Sequence, residues 1–192
     1  MRGGWNDLNP DDSFAAVMEP ARRALEWVGA LRSGDFSAVW AGLDSDFRLA
    51  LVQGWIVRNP AVLRRPEASL GRDQLARDLS TEDPQHRLWP HCRRVLEREL
   101  VGATAGVADH ELAPGTRPRP MAPGLELIRL FPVDLLPRDA EGQPFFAAGQ
   151  VVMSLSLIMS HGQAGWVVAG IGEGVLRPGW PPEYQFLVRP ED

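Results

Sequence analysis

A chain of 192 residues with 44% hydrophobic content, seven Trp and seven Phe has the material for one packed domain spanning 1–192. Twenty basic residues against twenty-five acidic ones leave a net charge of −5, which argues against nucleic acid or an anionic membrane surface as a partner. Cys92 stands alone, so the chain has no intramolecular disulfide and no cysteine cluster for a metal, and no apolar stretch is long enough to span a bilayer.

Every basic residue is arginine, and Ala, Gly, Pro and Val are abundant, a composition expected of a GC-rich, bacterial genome. The opening "MRGGWNDLNPDDSFAAVMEP" has no apolar h-region and carries early acids, so it reads as neither signal peptide nor anchor; the expected location is cytoplasmic.

The first half reads as helix. Ser13 is a candidate cap for a segment from Phe14 to about Leu31, with Ala24, Leu25, Val28 and Leu31 at three- and four-residue spacing. Pro20 lies inside this pattern and predicts a helix that begins or kinks there. Gly34 ends it, and Asp35 caps a short helix "FSAVWAGL". Asp44 or Ser45 then caps "DFRLALVQGWIVRN", with Leu51, Val52, Trp55 and Ile56 as its apolar stripe. "GRDQLARDL" is a further short helix. Pro90 opens another that reaches Leu100, with Cys92, Val95, Leu96 and Glu99 on one side.

From about residue 102 the texture changes to short strands broken by Gly and Pro. "GVADHEL" reads as a strand and the proline-rich 114–124 as an exposed loop. "LELIRLFPV" follows as a strand with Leu125, Leu127, Phe131 and Val133 on its core face and Pro132 at an edge or bulge. "GQVVMSLSLIMS" is the clearest period-two pattern. Val151, Met153, Leu155, Leu157 and Met159 point to one side; Gln150, Val152, Ser154, Ser156, Ile158 and Ser160 point to the other. "HGQAG" turns it into an antiparallel return strand, "WVVAGIGEG", so residues 145–173 form a hairpin. Residues 1–12 and 178–192 are expected to be irregular. Helices followed by consecutive antiparallel strands make the fold class α+β, with the helices on one face of a curved sheet.

The glycines 170, 172 and 174 do not make a dinucleotide loop. Val175 stands where the third glycine of G-x-G-x-x-G belongs, and Pro178, Pro181 and Pro182 forbid the helix that should follow. A bulge or sharp bend in the last strand is the expected role. His86, His91, His110 and His161 lack metal-ligand spacing, so neither a metal nor any other cofactor is expected. "ADHEL" supplies a candidate catalytic pair, Asp109 and His110, although neighbours on a strand face opposite ways. Cys92 sits on an apolar stripe and reads as a buried, inert thiol. Trp27, Trp40, Trp55 and Trp166 fall on core-facing positions, where they either pack or wall a cavity for a small apolar or aromatic ligand. With Phe131, Met153, Asp109 and His110 they make up the candidate pocket.

The order "ALRSGDFSAVWAGL", further helices, the long strand "GQVVMSLSLIMS", a turn and "GWVVAGIG" resembles the nuclear-transport-factor-2-like superfamily, a cystatin-type α+β cone, over residues 14–175. The resemblance implies a curved sheet wrapped against helices, a pocket in the cone, and pairing through the outer sheet face. Members include dehydratases, isomerases, hydrolases, cyclases and non-catalytic binding or accessory domains. The chain departs from that pattern by an insertion around 60–90 and by the absence of any matching acid–base set.

Three functions stay open. The leading one is a non-enzymatic small-molecule-binding or accessory module; the others are a cofactor-independent lyase, isomerase or hydrolase using a pocket Asp or His, and a protein-interaction (partner or immunity) module. A homodimer is also expected. The second face of "QVVMSLSLIMS" carries Val152 and Ile158 among serines and no charge, which suits a symmetric sheet-to-sheet contact centred near Ser156.

Overall fold

The apolar spacing of the N-terminal segment produces a long helix, α1 (Pro10–Ser33), which buries Ala21, Ala24, Trp27, Val28 and Leu31 along one side. The structure is a computed structural model that describes residues 10–65, 71–115, 118–142, 145, 153–163 and 165–187, with only the backbone described for 10–17. Ser13 lies inside α1 and does not cap it, and residues 10–12 are helical. The helix also continues through Pro20 and does not begin there. The pyrrolidine ring is itself buried beside Ala21 and Ala24, so packing of this face offsets the backbone hydrogen bond that proline cannot donate.

Gly34, at φ 74°, ends α1 in the left-handed region. Asp35 accepts a hydrogen bond from the Ala38 N–H (3.1 Å) and starts α2 (Phe36–Ala41); Asp44 accepts from the Asp46 N–H (2.9 Å) and starts α3 (Ser45–Arg58). After a 3-10 turn at Pro60–Arg64 come α4 (Arg72–Ser80) and α5 (Trp89–Thr104), the latter burying Cys92, Leu96 and Leu100. Glu99 stays outside and pairs with Arg58 at 2.7 Å.

The strands are β1 (Leu112–Pro114), β2 (Arg119–Ala122), β3 (Leu125–Pro132), β4 (Leu155–Gly162), β5 (Gly165–Ile171), β6 (Gly174–Arg177) and β7 (Glu183–Phe186). All pairings between them are antiparallel. The main sheet runs β1-β3-β4-β5, with β2 joined to the same side of β3 as β1 but further along it. The molecule is therefore α+β.

Four expectations change. "GVADHEL" is a 3-10 turn (Ala105–Val107) and a bend; strand begins only at Leu112, where the end of β3 offers backbone partners. The proline-rich stretch contains β2, because an edge strand tolerates residues without an N–H donor. The C-terminal stretch is not irregular throughout, since β6 and β7 pair there as a two-stranded sheet. Lastly, β3 is buried on both faces, so Leu125 and Leu127 do not share the main core with Ile128 and Leu130.

That last point follows from the layering. The helices lie over one face, where Ile128, Leu130, Leu155, Leu157, Met159 and Val168 join one cluster with side chains of all five α-helices. Behind the sheet, β2 and β6 bring Met121 and Val175 over Leu127, Ile158 and Ala169 in a second, smaller cluster. Gln150, Val151 and Val152 lie outside the described residues. Met153 precedes β4 and is 44% exposed.

The glycines act as expected of a bend. The register slips opposite Ile158 and Met159, and Gly172 adopts φ 91°. A side chain on Gly170 would run into the Gly174 carbonyl oxygen. One on Gly174 would lie 2.5 Å from the Gln185 carbonyl oxygen and 2.8 Å from the Tyr184 ring. The absent side chains let β6 and β7 fold back closely.

Candidate functional site

A cleft of about 360 Å³ opens between α1, α2 and β5. Its floor is set by the corner between α2 and α3. Val168 donates its N–H to the Gly42 carbonyl (2.9 Å), and Asp44 donates its N–H to the Val168 carbonyl (2.8 Å), so the corner is stitched to the middle of β5. Gly42 has no room for a side chain, because a Cβ would stand 2.9 Å from Trp27 Cδ1. Trp27 is locked in turn by donating Nε1–H to the Val39 carbonyl (3.0 Å). Ala30, Ala38 and Ala41 also line the cleft, and their small side chains keep it open.

Trp166 forms the wall on the β5 side and is half-buried. It packs edge-on against His161, its neighbour across the hairpin, with ring centroids 4.9 Å apart. Charge gathers at the rim: Arg23 and Glu26 from α1, and Glu82 from the segment after α4. Glu26 accepts hydrogen bonds from Arg22 and, at 3.3 Å, from Arg23, while Arg23 also reaches Glu19 at 3.1 Å. These partners stand three and four residues apart, one helical turn, and Glu19 has its acid pKa lowered by hydrogen bonds from Arg22 first and then Arg23. A second depression, about 410 Å³, is walled only by Pro120–Glu126 and brings no distant elements together.

Only two of the eight sequence-derived pocket residues, Trp27 and Trp166, line this cleft. Trp40 and Trp55 are 1% and 0% exposed and fill the interior instead. Trp40 packs against Phe36 and Trp89, with centroids 6.0 and 4.9 Å away, and donates Nε1–H to the Thr81 carbonyl (2.8 Å). Phe131 is half-buried on the far face of the sheet from the main core, and Met153 sits at the surface. Strand alternation puts each of them on a core face. The cause of the difference is that β3 has two buried faces and β4 starts after Met153.

Asp109 and His110 do not act together. Asp109 is exposed, and the His110 ring meets Asp134, with Nδ1 2.7 Å from Oδ2. An ionised carboxylate only accepts, so Nδ1 carries the proton, and this hydrogen bond holds the Asp134 carboxyl below the ordinary aspartate range. The pair joins the bend before β1 to the 3-10 turn at Val133–Leu135 and does not line the cleft. Cys92 is fully buried, and desolvation pushes its thiol pKa up, as the inert reading requires. Among the described residues no group of three or more His, Cys, Asp or Glu is placed to hold a metal.

Sequence reasoning missed the rim. The i, i+3 and i+4 charges of α1 were visible, but nothing tied them to a cleft, and Glu82 carries no local signal at all. Arg48 was missed too. It is half-buried and donates to the carbonyls of Leu43 (2.9 Å), Ser80 (3.1 Å) and Trp40 (3.3 Å), tying together the ends of α2 and α4 next to the cleft. No helix of the described residues is long and apolar enough to cross a membrane. Compared with protein-family models, with curated proteins and with solved structures, the chain matches none of them.

Proposed function

We propose that this chain is a nuclear-transport-factor-2-like, non-enzymatic module that binds a small molecule in the cleft between α1, α2 and β5. The observation that carries the reading is the cleft itself: two fixed tryptophans and small alanines below a charged rim, with the interior beneath already filled by Trp40 and Trp55. The enzyme reading has less support. General acid–base catalysis needs a titratable group free to exchange a proton with a bound substrate. Glu26 is occupied by two arginines and the His110–Asp134 pair lies outside the cleft, which leaves Glu82 as a single lining carboxylate with no acid–base partner among the lining residues.

A fragment screen by thermal shift tests the proposal. Compounds that stabilise the native chain should lose their effect in Ala38→Phe, which fills the cleft, and in Trp166→Leu, which removes its wall. Hits that keep their full effect in both variants would place the binding site elsewhere and end this reading.

A second reading, self-association, has one specific support. β7 pairs only with β6 among the described residues, and its Tyr184 and Phe186 are 46% and 74% exposed with rings 5.0 Å apart. The face around Ile158 supports it less, because that side chain is wholly buried under the chain's own β2 and β6. Sedimentation over a concentration series should show association that Phe186→Asp weakens. A monomer at all concentrations removes the reading.

A further inference from the structure

We infer that the ligand of the α1–α2–β5 cleft is a small organic cation, an ammonium group carried on a compact apolar body. This inference rests on the cleft reading and narrows it to one ligand chemistry.

The apolar body follows from the walls. Trp27, Trp166, Ala30, Ala38 and Met159 offer carbon surface inside a volume suited to a molecule of few heavy atoms. The charge follows from the rim. Arg23 and Glu26 belong to a balanced ladder with Glu19 and Arg22, so the charge the rim adds beyond that ladder is the carboxylate of Glu82. Arg23 is already engaged by Glu19 and Glu26 along α1, which leaves it poorly placed to recruit an anion. Glu82 stands apart from that helix ladder. It attracts Arg48 through space, but Arg48 directs its N–H groups to the carbonyls of Leu43 and Ser80 and does not line the cleft. The indole of Trp166 completes the set. Tryptophan is the best aromatic partner for a cation, and desolvation beside it strengthens the attraction.

A neutral apolar ligand would use the walls and leave the rim idle. An anionic one would meet Glu82 with unfavourable sign.

The test is isothermal titration at low salt with three probes of similar size: benzyltrimethylammonium, benzyl alcohol and benzenesulfonate. The cation is expected to bind about tenfold more tightly than the alcohol, and the sulfonate more weakly than either. Glu82→Gln, at an exposed position that does not endanger folding, should erase a large part of that preference. Glu82→Arg should move it toward the sulfonate, and Trp166→Leu should weaken the cation more than the alcohol. Equal affinity for cation and alcohol, or a cation preference untouched by Glu82→Gln and Trp166→Leu, overturns the inference while leaving the cleft as a binding site. Failure of all three probes, with thermal-shift hits still sensitive to Ala38→Phe, overturns it in the same way. Failure of every compound overturns the cleft reading with it.

Discussion

The two faces of the central sheet are both buried, yet they are built differently. On one face Leu155, Leu157 and Met159 of β4 belong to a cluster that also takes in side chains from all five helices. On the other, Ile158 is just as inaccessible, but among the described residues its cluster is covered mainly by two short strands that contribute Met121 and Val175. Equal burial therefore does not mean equal support. A side chain wedged among helices has neighbours that cannot move without disturbing one another, whereas the strand-covered cluster can relax around a loss.

The sharpest way to break this comparison is at the aromatic centre of the helical side. Trp40→Ala should destabilise the chain by about 4 kcal/mol in chemical denaturation, since it removes a large core side chain and leaves its hydrogen bond to the Thr81 carbonyl unmade. Across the sheet itself, Leu157→Ala should cost about 3 kcal/mol and Ile158→Ala about 2 kcal/mol. Equal costs would show that β2 and β6 hold Ile158 as firmly as the helices hold Leu157. No cost at Ile158 would mean that the strand cover is open in solution.

Gly174→Ala probes how that cover is attached. The added methyl would press on the Gln185 carbonyl and the Tyr184 ring, so a loss of about 2 kcal/mol is expected. Faster amide exchange should appear in β6 and β7 well before it appears in β4. Uniform exchange throughout would show that the C-terminal hairpin and the sheet open as one unit.

The smallest effect belongs to the partly exposed pair His110 and Asp134. Asp134 has its pKa lowered in the folded chain, so its contribution is present above the ordinary aspartate value of about 3.9 and is lost as pH falls through the folded value. Asp134→Asn should therefore lower stability slightly at neutral pH and leave it unchanged in strong acid, as read from melting curves at both pH values. A deficit that persists in acid would assign the effect to packing.

The helices were legible because each carried its own signals. Asp35 and Asp44 cap as their positions predict, and Cys92, Val95 and Leu96 of α5 face inward as spaced, with Glu99 outside. Pro20 does not mark the helix start, because local rules weigh its missing N–H without seeing the face it packs. On the sheet, alternation in "LSLIMS" correctly separated Leu155, Leu157 and Met159 from Ile158. It could not say that the second face would be covered, since the covering residues, Met121 and Val175, come from segments rich in proline and glycine. The same limit applies to the site. Trp27 and Trp166 were visible as large aromatics, but so were Trp40 and Trp55, which fill the interior instead.

By itself, then, the sequence determined what depends on near neighbours: helix starts and stops, the hairpin of β4 and β5, the failure of the glycine run as a nucleotide loop, and the burial of Cys92. Those features arise from backbone propensity, capping and periodicity within a few residues. Only the tertiary structure decided which tryptophans border open space, which acid meets His110 and where Glu82 stands relative to α1. Those outcomes depend on contacts between residues far apart in the chain, such as Gly42 with Val168 and His110 with Asp134, and no local pattern encodes them.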